Sequence, residues 1–166
     1  MPVDRLFAPW RGEYVSANSP VGDGTPRVCI FCAAPERLSE ETSLVVHIAP
    51  SSVVMMNRFP YSSGHVMVAP RRHIARLGEL TAEEREEMFG LAQRIESIFA
   101  EAYKPDGMNM GMNVGRAAGA GFADHIHLHL VPRWIGDANF MTTTAETRVI
   151  PEDPAQACLR LREYFV

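Results

Sequence analysis

The chain has 166 residues, 46% of them hydrophobic, which is enough for one domain with a sizeable core. Its 16 basic and 20 acidic residues give a formal charge of -4 and are scattered, with no lysine- or arginine-rich block, so polymeric nucleic acid is excluded as the main substrate. No apolar run approaches the roughly 20 residues of a membrane span, and Met1-Pro-Val-Asp-Arg-Leu6 lacks the charged head and long apolar stretch of a signal peptide; the expectation is a cytoplasmic protein without a membrane partner.

Residues 1 to about 25 are irregular, and Asn18-Ser-Pro-Val-Gly-Asp-Gly-Thr-Pro26 consists almost wholly of turn formers, so residues 1–28 read as an extended arm. Ser43-Leu-Val-Val-His-Ile48 and Val53-Val-Met-Met-Asn57 are short, apolar and β-branched, and Ala49-Pro-Ser-Ser52 between them fits an antiparallel hairpin. A third strand, Gly64-His-Val-Met-Val-Ala69, stops at Pro70. Thr81-Ala-Glu-Glu84 has the capping-box pattern, and Met88, Leu91, Ala92, Ile95, Ile98, Phe99 and Ala102 follow at helical spacing up to about Tyr103. Two further strands, Gly107–Val114 and Asp124–Arg133, flank a loop containing Gly115, Gly119 and Gly121, and Asp153–Tyr164 reads as a final helix. The order predicts a single α+β domain over residues 1–166, with a five-stranded, mainly antiparallel sheet, one long helix and a C-terminal helix.

The last strand carries the chemistry. Side chains alternate along extended backbone, so His125, His127 and His129 share one face while Ile126, Leu128 and Leu130 anchor the other. Three imidazoles on one stripe admit two readings. In one, His125 and His127 chelate a zinc ion that activates water. In the other, His127 is a neutral, metal-free imidazole that attacks phosphorus and forms a covalent nucleotidyl-histidine. The Gly115-Arg-Ala-Ala-Gly-Ala-Gly121 loop favours the second, because small residues let a phosphate approach backbone N–H groups. Cys29-Ile-Phe-Cys32 has the spacing of two thiolates on one tetrahedral ion; three cysteines of this arrangement do not make a disulfide framework. Cys158 reads as a small core residue and His47 as an edge or surface residue.

The run His125-Ile-His-Leu-His-Leu-Val131 resembles the signature of the histidine triad family. The resemblance extends upstream to Asn57-Arg-Phe-Pro-Tyr-Ser-Ser-Gly-His-Val-Met-Val-Ala-Pro-Arg-Arg-His73. Ala8-Pro-Trp-Arg11, Asn109–Gly115 and Pro132-Arg-Trp-Ile-Gly-Asp-Ala-Asn-Phe-Met141 are similar to the microbial diadenosine tetraphosphate phosphorylase branch. Position by position, the resemblance implies His127 as nucleophile, with His129 and His65 orienting phosphate and assisting the leaving group. It implies Asn57 on the ribose, Asn113 and the loop glycines Gly119 and Gly121 near the phosphates, Ile30 and Phe31 in a base pocket, and Trp134 near the distal part of a dinucleotide. It also implies a structural zinc held by Cys29, Cys32, His73 and His125, no organic cofactor, and a homodimer in which two sheets join.

The reaction so implied is phosphorolysis of diadenosine tetraphosphate to ATP and ADP. Its rivals are hydrolysis of dinucleoside polyphosphates or nucleoside phosphoramidates and, from another class, a nucleotide-binding module with little turnover. Many hydrolases of the family carry Gln four residues before the first histidine of the triad, where this chain has Gly121. The missing side chain leaves room for inorganic phosphate to approach the intermediate.

Overall fold

The computed structural model describes residues 28–40, 43–137 and 152–166. The expected N-terminal arm, the Ala8–Arg11 segment and the end of the Pro132–Met141 segment lie outside the described residues. Five strands, β1 (Val45–Ile48), β2 (Ser52–Met56), β3 (Val66–Pro70), β4 (Gly107–Met112) and β5 (Leu128–Arg133), form one sheet of order β1-β2-β3-β5-β4. All four pairings are antiparallel. Helix α1 (Ala34–Arg37) precedes the sheet, α2 (Ala82–Ala102) connects β3 to β4, and α3 (Pro154–Arg162) follows β5.

Alternation along the central strands divides the interior in two. Val54, Met56, Val66, Val68, Leu128 and Leu130 point to the face covered by Met88, Leu91, Ala92, Ile95, Ile98 and Phe99 of α2 and by Ala157, Cys158 and Leu161 of α3. Val45, Val53, Met55, Met67 and Ala69 point the other way, onto Phe31 and Ala34. His129 pairs with Met67 across β3 and β5, so the histidine stripe belongs to this second face.

The long helix starts where expected: the Thr81 side chain accepts from the Glu84 N–H, and the Glu84 carboxylate accepts from the Thr81 N–H. Glu84 is buried and also accepts from Nε and Nη2 of Arg72, at 2.6 and 2.8 Å. That pair fixes the segment after β3, and with it the neighbouring His73.

Several boundaries differ from the sequence reading, and two of the differences bear on the site. The strand expected from Asp124 begins pairing only at Leu128, because β3 ends at Pro70 and the Ile126 N–H donates at 2.7 Å to the carbonyl of Ile74, in the irregular segment beyond. Strand β4 stops at Met112, which leaves Asn113 just past its end.

Gly64 immediately precedes His65 and has φ +75°; a Cβ there would lie 2.9 Å from Tyr103 Cζ and 3.2 Å from Pro132 Cγ. The left-handed backbone and the lack of space both require glycine. Gly64→Ala is expected to lower stability by about 2–4 kcal/mol, the sum of left-handed strain and overpacking, read as a lower urea midpoint with an unchanged slope.

Candidate active site and metal centre

The sequence around His127 forces it against its own chain. Its Nδ1 lies 2.8 Å from the carbonyl oxygen of His125. A carbonyl only accepts, so Nδ1 carries the proton and the neutral ring presents an unprotonated Nε2. The ring is 4% exposed and stacks on Phe31, centroids 4.9 Å apart at 30°. Burial depresses its pKa; the hydrogen bond to the His125 carbonyl works in the opposite sense, and the nearby His125 adds to the depression. The net direction favours the free base, the form a nucleophile needs.

His129 lies edge-on to His127, centroids 4.8 Å apart, and its Nδ1 is 2.9 Å from His65 Nε2. His65 is 0% exposed, so its place is behind His129, through which it reaches the surface of the site. Burial first, and then the neighbouring imidazoles, push His65 down to about 3; burial and His127 push His129 down to about 4. Both are therefore neutral near pH 7.

This depression predicts acid sensitivity. Unfolded histidines titrate near 6.5, so as pH falls below that value the unfolded chain takes up protons that the folded chain refuses until about pH 4 for His129 and about pH 3 for His65. Stability is complete above 6.5 and drains as pH drops, by about 1.4 kcal/mol per pH unit for His65. Urea midpoints measured from pH 7 to 5 should fall less steeply in His65→Gln than in the parent. Parallel curves would contradict the assignment.

The other flank of Phe31 meets His125, whose ring lies 4.9 Å away and is 1% exposed. His125 Nε2 is 2.8 Å from the Pro70 carbonyl and must donate to it, which turns an unprotonated Nδ1 toward the Cys29–Cys32 turn. That Nδ1 lies 3.2 Å from Cys29 Sγ, 3.6 Å from Cys32 Sγ and 3.3 Å from His73 Nδ1, and Cys32 Sγ lies 3.3 Å from His73 Nδ1. All four donor atoms fall within 4.8 Å of one another. Zinc bonds of about 2.0–2.3 Å in a tetrahedron separate ligand atoms by about 3.3–3.8 Å, so two thiolates and two imidazoles, that of His125 already in the right tautomer, fit that ion. Burial raises the Cys29 thiol, but the hydrogen bonds around it outweigh this and bring it to about 6; burial and the adjoining Cys29 push Cys32 up to about 11. His127 is outside this cluster, which therefore does not use the His125–His127 pair of the first sequence reading.

The remaining expected residues are placed as follows. Asn57 follows β2; its Oδ1 accepts the Phe59 N–H at 2.9 Å, which leaves its amide NH₂ as the donor end. Ile30 is partly buried beside the fully enclosed Phe31. Gly115 and Gly119 have φ +81° and +84°, and no atom lies within 4 Å of a Cβ built on either, so the loop is open to a ligand. The Gly119 N–H, however, donates to the Arg116 carbonyl within the 3₁₀ turn Arg116–Ala118. Trp134 follows β5 and meets Tyr103 edge-on at 6.4 Å; five residues of strand, about 16 Å, separate it from His129 within the chain. Cys158 is buried with its thiol on the Val45 carbonyl, and His47 stacks on Phe165 at the β1 edge.

The sequence reading did not anticipate the Pro70 carbonyl, which orients His125, or the Tyr61 N–H, which donates to His65 Nδ1 at 3.1 Å. Backbone partners of this kind leave no side-chain signal.

The HIT domain family model matches residues 39–134, and the chain belongs to that family, the histidine triad proteins. It is 36% identical over 157 residues to the AP-4-A phosphorylase of Mycobacterium tuberculosis, a match covering 90% of this chain and 78% of that protein. It is 37% identical over 82 residues to the bis(5'-adenosyl)-triphosphatase of Dictyostelium discoideum, covering 49% of this chain and 54% of that protein. Among solved structures, a zinc-bound histidine triad family protein from Mycobacterium smegmatis superposes with a TM-score of 0.65 at 28% identity, over 82% of this chain and 91% of that one.

Proposed function

We propose that the protein cleaves dinucleoside polyphosphates through a nucleotidyl-His127 intermediate, with diadenosine tetraphosphate as substrate and inorganic phosphate as acceptor. One observation carries this reading: the His127 Nδ1–H is held by the His125 carbonyl, which leaves Nε2 as a free base, while the four metal donors form a separate cluster. Nε2 attacks an α-phosphorus; the N–P bond forms as the P–O bond to the polyphosphate breaks, and ATP leaves with the electron pair. Phosphate then attacks the same phosphorus, the N–P bond breaks and ADP is released with His127 regenerated.

In this reading His129 faces the leaving oxygen and His65 orients His129. Asn57 donates to the ribose, Ile30 with Phe31 behind it forms part of the base pocket, and Asn113 with the Gly119–Gly121 loop lies along the phosphates. Trp134 is assigned to the distal part of the dinucleotide. Cys29, Cys32, His73 and His125 hold a structural zinc, because four protein donors fill a tetrahedral shell. The ion ties the segment before α1 to the segment after β3 and to the approach to β5.

We assign the dimer contact to β4. Arg162 covers the Ser43 and Val45 carbonyls at the β1 edge, whereas β4 pairs, among the described residues, with β5 alone and exposes Asn109 and Met110.

Incubation with diadenosine tetraphosphate tests the chemistry. The expected products with phosphate are ADP and ATP, with little turnover in its absence. Phosphate-independent release of AMP and ATP would instead make the protein a hydrolase, the activity in the name of its Dictyostelium relative.

A further inference from the structure

The loop before β3 sets the direction of a hydrogen-bond chain that ends at the reaction centre. Tyr61 N–H lies 3.1 Å from His65 Nδ1. A peptide N–H only donates, so Nδ1 must hold a lone pair and neutral His65 must carry its proton on Nε2. That proton points at His129 Nδ1, 2.9 Å away, which in turn must be a lone pair. Neutral His129 is therefore protonated at Nε2. One backbone amide thus sets the direction of hydrogen bonding through both rings.

We propose that Tyr61 is a positioning residue whose backbone N–H fixes His65 and His129 in the Nε2–H form, so that His129 presents a hydrogen-bond donor and not a base beside His127. The surroundings enforce the same outcome. His65 is 0% exposed, and the Tyr61 ring covers it, centroids 4.7 Å apart, and reaches His129 at 6.0 Å. The depressed pKa values of both histidines keep the chain neutral, as a Nδ1 already accepting from a peptide N–H requires. His127 has the opposite tautomer, with the proton on Nδ1 and the lone pair on Nε2. The Nε2 atoms of His127 and His129 are thus a base and a donor. As the His127–phosphorus bond forms and the electron pair of the breaking P–O bond moves to the leaving oxygen, the His129 Nε2–H donates a hydrogen bond to that oxygen. This last step rests on the proposed function; the tautomer pattern does not.

Nitrogen-15 NMR of histidine-labelled full-length protein reads each tautomer directly. The expected pattern is Nε2–H for His65 and His129 and Nδ1–H for His127. A Nδ1–H form of His65 overturns the proposal whatever the activity. The second arm replaces the Tyr61 peptide N–H by an ester oxygen, with tyrosine's α-hydroxy acid inserted at position 61 and the ring kept. The expected result is mixed tautomers at His65 and His129 and a kcat for diadenosine tetraphosphate lowered about tenfold with KM within about twofold, the loss of one hydrogen bond's worth of orientation. An ester protein with unchanged tautomers and unchanged kcat contradicts it. The expected tautomers in a protein that does not cleave the dinucleotide would sink the functional reading and leave the chain of hydrogen bonds standing.

Discussion

Replacement of His127 by glycine or alanine is expected to lower dinucleotide cleavage by about 10⁴-fold or more, the scale on which loss of a covalent nucleophile acts. The fold should survive, because His127 is not among the four clustered donors and its ring rests on Phe31, itself held by Val45, Val53, Met55, Met67 and Ala69. His129 and His65 variants should lose less, because each supports the displacement without making the bond. The glycine variant adds a sharper test. Its vacated space can accept the imidazole of a nucleoside 5'-phosphorimidazolide, which supplies the activated N–P bond ready-made, so phosphate should convert that compound to the nucleoside diphosphate. Full cleavage of diadenosine tetraphosphate by His127→Gly would remove the covalent mechanism.

Stripping the proposed zinc is expected to have the largest effect on stability. The donors come from the Cys29–Cys32 turn, which rests on the sheet through Phe31, from His73 beyond β3 and from His125 before β5, three segments far apart in sequence. An ion present at a thousand times its dissociation constant contributes about 4 kcal/mol, and for a chain of this size that corresponds to a melting temperature lower by about 8–16 °C in the stripped protein. Cys32→Ala should reproduce the shift, and metal analysis should give one zinc per chain. Activity should fall as the protein loosens. Immediate loss of turnover on chelation, with an unchanged melting temperature, would instead make the ion catalytic.

The five strands, the antiparallel sheet and the helix start were legible because local signals agreed: β-branched runs between turn formers, the Thr81–Glu84 capping box and the helical spacing from Met88 to Phe99. The metal set was legible only through resemblance, since Cys29-x-x-Cys32 names two donors and nothing in spacing points to His73 and His125. Helix α1 was missed because four residues starting Ala-Pro carry no periodicity. The start of β5 was misplaced because alternation continues through His125 and His127, whereas pairing depends on where β3 ends and where the Ile126 N–H finds an acceptor. The tautomers of the three similar histidines, as distinct from the roles the resemblance implies for them, were not legible in the sequence. They depend on three backbone groups, the carbonyls of His125 and Pro70 and the N–H of Tyr61, and a backbone group is the same in every sequence.

The most direct test is a rapid-quench mixture of enzyme and diadenosine tetraphosphate without phosphate, kept alkaline to preserve an acid-labile N–P bond and analysed by intact and peptide mass spectrometry. One nucleotidyl group per active chain, on the peptide containing His127 and discharged as ADP when phosphate is added, is the predicted result. Turnover with no covalent species at any time, or with the group on a different residue, would contradict the account.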